Sequence, residues 1–169
     1  MWGVLARFLA SRPALLEKLI ARAQRTPYTH IPSREGSDIY MYRYWLFNAY
    51  AESSAKRLWW RELLPSVRLH HIMRPDADRD LHDHPWNART LVLRGYYIEV
   101  REDNPFAFTR KAGDTVPLKF GEYHQIIAVP KEGVWTCFIT WKYRGTWGFL
   151  VDGKKVPWRE YLGIEEKAS

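Results

Sequence analysis

Two short stretches carry most of the chemistry of this chain: His82-Asp83-His84-Pro85-Trp86 and, about one hairpin later, Gly121-Glu122-Tyr123-His124. Side chains two residues apart on an extended strand share a face, so His82 and His84 point the same way and a histidine from a later strand can converge on them. His82, His84 and His124 are therefore candidate metal ligands. Three neutral imidazoles suit a first-row ion better than Mg or Ca, and they leave zinc, iron, nickel and manganese open.

Other residues are candidates for a pocket around that site. His70 and His71 are adjacent, so on a strand they face opposite ways and no more than one enters the interior. His70 is favoured as a substrate-binding residue, against the reading of an ordinary hydrogen-bonded histidine. Trp86 shares the parity of His82 and His84, and either walls the pocket or packs in the core. Tyr97, Glu99 and Tyr123 carry groups able to act as acid, base or hydrogen-bonding partner, with Tyr97 taken as a substrate contact and Tyr123 opposed in parity to His124. Cys137 has no adjacent base and reads as a small buried hydrophobe.

These residues must be held by a scaffold, and the composition says which kind. A chain of 169 residues with 46% hydrophobic and 15% aromatic residues can bury one real core, which excludes a disordered reading. The aromatics favour pleated surfaces, and the ten Gly and ten Pro supply turns between short strands. A lone cysteine excludes an internal disulfide and points to a reducing, cytoplasmic setting. The net charge of +7 is scattered among acidic residues, which argues for attraction to small anions and against a specific nucleic-acid surface.

The first residues, 1–24, place Leu5, Phe8, Leu9, Leu15, Leu16, Leu19 and Ile20 at helical spacing between charges. No apolar run is long enough to span a bilayer. A break at Ser11-Arg12-Pro13 predicts two helices, with Ser11 capping the second and Pro13 in its first turn. The pattern then changes. Tyr40, Tyr42 and Tyr44 alternate with Met41, Arg43 and Trp45, as in a strand, whereas Ala51 to Leu64 is open between helix, strand and irregular chain. From Val67 the strand signals become regular: Val67 to Met73, Thr90 to Arg101, Phe106 to Arg110, Asp114 to Leu118, Tyr123 to Val129 and Val134 to Tyr143. A final hairpin is expected around Val151-Asp152-Gly153-Lys154, and Pro157 opens a helical turn through Tyr161. Short strands at this spacing describe a sandwich or jelly roll.

The stretch His82 to Gly95 resembles the first motif of the cupin superfamily, in which His-x-His precedes a glutamate and then a glycine. Gly113, Gly121 and His124 resemble the second motif. The match departs where it matters chemically: Ala88 stands at the glutamate position, so the acidic ligand is missing, and the neighbouring Arg89 cannot replace it. The resemblance implies a mainly β, single-domain cupin-type double-stranded β-helix of the RmlC-like kind, with an N-terminal helical extension and connector over 1–38 and the barrel with its C-terminal hairpin over 39–169. It implies a divalent metal on His82, His84 and His124, and two-fold association into a homodimer.

The leading functional expectation is a mononuclear metal-binding cupin with dioxygenase-like, oxygen-dependent oxidoreductase activity on a small anionic molecule. An ion held by three neutral ligands keeps its full charge and favours such substrates. The alternatives are a metal-independent sugar-nucleotide epimerase or isomerase, using a histidine base and a tyrosine acid, and a ligand-binding or structural barrel without turnover.

Overall fold

A computed structural model describes residues 1–33, 36, 38–49 and 63–164. Two helices open the chain, α1 (Trp2–Ala10) and α2 (Pro13–Ala23). They are followed by β1 (Ile31–Pro32), β2 (Ile39–Phe47), β3 (Ser66–Ile72), β4 (Trp86–Arg94), β5 (Tyr96–Arg101), β6 (Asn104–Lys111), β7 (Thr115–Leu118), β8 (His124–Ala128), β9 (Val134–Tyr143), β10 (Gly148–Val151) and β11 (Lys154–Pro157), with a short α3 (Trp158–Tyr161) at the end. The larger sheet has the order β1-β2-β3-β9-β4-β7, and β6-β5-β8 form a second sheet. A two-stranded ribbon, β10-β11, completes the set, and every pairing is antiparallel. The chain is mainly β, and its crossed strand order is that of a jelly roll.

The period of two in β3, β4 and β9 divides the large sheet into two unlike faces. Leu69, Cys137 and Leu91 lie in register across the three strands, as do Arg68, Phe138 and Thr90 on the opposite face. The first set joins Ala6, Leu16, Ile20 and Ala23 in one apolar cluster, so α1 and α2 cover the outer face. The amphipathic spacing of the N-terminal residues thus becomes packing against the sheet. On the inner side, Ile72, Val92, Tyr97, Ile126 and Val134 form an apolar floor, while Ala88, Leu118 and Phe138 form a second cluster against Trp86.

The structure corrects three local expectations. Ser11 does not cap α2: the N-cap is Arg12, with no side-chain cap bond, and the Ser11 hydroxyl donates back to the Phe8 carbonyl at 3.0 Å, closing α1 instead. Pro13 does occupy the first turn. The single strand expected over Thr90 to Arg101 is two strands, because Gly95 takes φ +81° and turns the chain from one sheet to the other. A Cβ there would lie 2.9 Å from the Gly133 carbonyl oxygen, so glycine satisfies both the turn and the close approach. The strand also begins earlier, at Trp86. Of the segment left open between helix, strand and irregular chain, residues 51–62 lie outside the described residues.

Candidate metal centre

His124 opens β8 and pairs with His82 through two backbone bonds, each nitrogen donating to the other's carbonyl at 3.0 Å. That bridge brings the two motifs together. His82 is in an isolated bridge and residues 83–85 are outside regular strand, so tertiary pairing rather than a continuous strand sets the His-x-His geometry. His84 Nε2 lies 3.0 Å from His124 Nε2, and one ligand atom from each of His82, His84 and His124 falls within 4.8 Å of the others. Two nitrogens on a common ion at about 2.1 Å stand roughly 3.0–3.4 Å apart, so the His84–His124 spacing fits shared coordination.

The protonation state fits as well. Burial lowers the pKa of His84 well below the imidazole norm, and the neighbouring His124 and His82 push it the same way. Burial also lowers His82, to about 4, against the opposing pull of Asp76. Neutral imidazole is the form that binds a metal.

Behind the three histidines stand carboxylates. Glu99, 1% exposed on β5, places Oε2 3.5 Å from His124 Nδ1 and takes bonds from Arg101 Nε at 3.1 Å and Arg110 Nε at 2.8 Å on Oε1. The first separation is long for a hydrogen bond, so the carboxylate faces that nitrogen without a fixed donor-acceptor bond. Burial alone would raise the Glu99 pKa, but His124 and the two arginines override it and hold the group ionised, down to about 2. Asp76 Oδ2 lies 3.8 Å from His82 Nδ1, and the carboxylate is fixed by the Ile126 amide at 2.7 Å and by the Tyr40 hydroxyl. A carboxylate on the far nitrogen of an imidazole orients the ring and presents its other nitrogen as ligand. Ala88 is 5% exposed and packs with Leu118 and Phe138.

Asp83, between His82 and His84, faces the C-terminal ribbon. Its Oδ1 accepts from the Gly148 amide at 2.7 Å and its Oδ2 from Lys155 Nζ at 2.5 Å, while its own amide donates to the Gly148 carbonyl at 3.0 Å. The β10-β11 ribbon therefore clamps the His-x-His segment. A Cβ on Gly148 would run into the Val156 carbonyl, so the clamp requires glycine there. Sequence reasoning passed over Asp83 and Asp76. Asp83 alternates out of phase with the histidines, which could have flagged it, but its partner lies 72 residues later.

The other candidates separate clearly. His70 is on the inner face, 8% exposed, with its ring stacked on Phe138 at 5.1 Å. Phe138 in turn lies 5.5 Å from the His84 ring. His71 is on the outer face, stacked on Trp135 at 4.3 Å. The Trp86 ring lies 6.4 Å from His84, nearly parallel to it, with the Arg68 guanidinium 5.0 Å from its centre. Tyr97 sits in the apolar floor. Cys137 belongs to the outer-face cluster, and burial pushes its thiol up to about 12, which makes it unreactive near neutral pH.

No protein-family model and no curated protein matches the sequence. Solved structures do. The polyketide cyclase RemF from Streptomyces resistomycificus aligns at TM-score 0.50 and 16% identity, over 74% of this chain and 80% of its own. A cupin-like protein of Thermotoga maritima aligns at 0.48 and 22% identity, over 76% of this chain and 86% of its own. A cupin 2 conserved barrel domain protein from Rhodopseudomonas palustris gives 0.48 and 15%, over 75% and 77%. Identities this low speak to fold alone. The fold is a mainly β jelly roll like that of these solved structures, with three histidines clustered inside it.

Proposed function

We propose that this chain is a mononuclear metalloprotein, holding one divalent first-row ion on His82, His84 and His124 and acting on a small anionic molecule. The observation that carries the reading is the convergence of three buried or half-buried imidazoles whose ligand atoms lie within 4.8 Å of one another. Oxygen-dependent oxidation is the leading reaction class. When bound, the ion supplies an electrophilic centre with positions left open by a three-ligand set. The chain's own residues do the rest. Glu99 and Asp76 orient the rings of His124 and His82, Asp83 anchors the loop between the ligands, and Trp86 walls the space beside His84 with Tyr97 in the floor below. The positive field of Arg68, 2% exposed and packed over Trp86 and Phe138, favours an anion inside the barrel.

The 3.0 Å approach of His84 and His124 also describes two hydrogen-bonded imidazoles, one of which could serve as the histidine base that a metal-independent isomerase pairs with a tyrosine acid. Elemental analysis of protein purified without an affinity tag decides between them. Stoichiometric metal that is lost on His124→Ala supports the metal reading. Protein that takes up no Zn, Fe, Ni or Mn after reconstitution, and any turnover that survives chelation, would remove it. Two-fold association is part of the same proposal, and a monomer in sedimentation at micromolar concentration would contradict it.

A further inference from the structure

The inner face of the large sheet holds a second polar feature that the three-histidine cluster does not use. His70 Nε2 is buried and has no hydrogen-bond partner among the described residues. A buried donor or acceptor left unpaired is destabilising, and native interiors rarely keep one without a reason. The ring itself is held firmly, stacked on Phe138 with 28° between the planes. Phe138 is shared: its ring centre lies 5.1 Å from that of His70 and 5.5 Å from that of His84, and the Arg68 guanidinium lies 5.4 Å from it. Arg68 and His70 are two residues apart on β3 and face the same way. The His70 ring and a candidate metal ligand thus have one phenyl ring as a common neighbour.

We propose that His70 is a second recognition point of the site, receiving the far oxygen of a small acid whose near end occupies the metal, so that the ligand class is a dicarboxylic or oxo acid rather than a simple monoanion. This rests on the metal reading above. Burial and the nearby guanidinium keep His70 neutral, so it offers a hydrogen bond without adding charge. A monocarboxylate spends its only acidic group on the ion and leaves Nε2 unpaired. A second oxygen acceptor at the far end satisfies it.

The test uses the full chain loaded with Co2+, whose visible spectrum reports ligands entering the metal's shell, titrated separately with acetate, malonate and succinate. At least one dicarboxylate is expected to bind about tenfold tighter than acetate, the worth of one buried hydrogen bond. In His70→Phe, which keeps the ring stack and removes the nitrogens, and in His70→Ala, the dicarboxylate should fall to the acetate level. Co2+ stoichiometry and acetate affinity should not change. The phenylalanine variant should melt no lower than the parent protein, since it removes an unpaired polar atom. Equal affinity for acetate and both dicarboxylates in the parent protein, a preference that survives His70→Phe, or loss of Co2+ from that variant would each overturn the proposal. Failure of the parent protein to take up Co2+ would instead overturn the metal reading and this proposal with it.

Discussion

The two faces of the six-stranded sheet come from the same strands and differ in the polar groups they bury. Outward, Leu69, Leu91, Leu93, Cys137 and Ile139 meet the helices in an apolar cluster. Inward, the same strands bury Ser66, Arg68, His70, Thr90, Thr136 and Thr140. Apolar burial is the main source of stability, and buried polar groups reduce it unless they are paired. The outer face is built to hold the fold. The inner face keeps polar groups that a purely structural barrel would replace with aliphatic ones.

Breaking that comparison should separate metal binding from stability. The largest effect is expected from His124→Ala, which removes a ligand and the bridge's imidazole: metal should fall from about one ion per chain to trace, while circular dichroism still reports a β fold. Leu91→Ala on the outer face should do the reverse. It should cost about 2–5 kcal/mol in denaturant unfolding and leave the metal content of the folded protein unchanged. Metal loss in that variant without loss of stability would contradict the division.

Asp83 belongs to both regimes, since it ties the ligand loop to the C-terminal ribbon. Asp83→Ala should cost about 3 kcal/mol, the lower end for breaking a buried pair, because Lys155 is partly solvated and can reach water. It should also weaken metal binding. An unchanged melting temperature would show that the ribbon is held by its other contacts alone.

Acidification should act on the inner face first. His82 has a folded pKa of about 4, below the ordinary 6.5, so between those values the unfolded chain takes up a proton that the folded chain refuses. Stability is therefore retained above pH 6.5 and lost as the pH falls toward 4, by on the order of 3 kcal/mol from this group. His82→Gln should flatten that part of the stability profile measured by urea unfolding. If the slope persists undiminished, another group is responsible.

The smallest effect is expected from Glu99→Gln. The glutamine keeps the shape but removes the charge facing His124 Nδ1, and metal affinity should fall by about 10- to 100-fold in a competitive chelator titration. No change would mean that the 3.5 Å contact does not orient the ligand.

The sequence alone was sufficient for what depends on short-range periodicity and residue type. The amphipathic helices, most strands, the terminal hairpin, the placement of His70 and His71 on opposite faces, and the likeness to a cupin carried by His82, His84 and His124 were all legible in it. Side-chain alternation and turn chemistry are properties of adjacent residues, so they can be read along the chain. Only the tertiary structure decided that Glu99 stands behind His124 and Asp76 behind His82, that Asp83 turns away to Lys155, that Gly95 breaks one expected strand into two, and that Tyr97 belongs to the floor. Each of these is settled by strand register and sheet crossing between segments far apart in sequence, and a one-residue change in register would send every side chain of a strand to the other face.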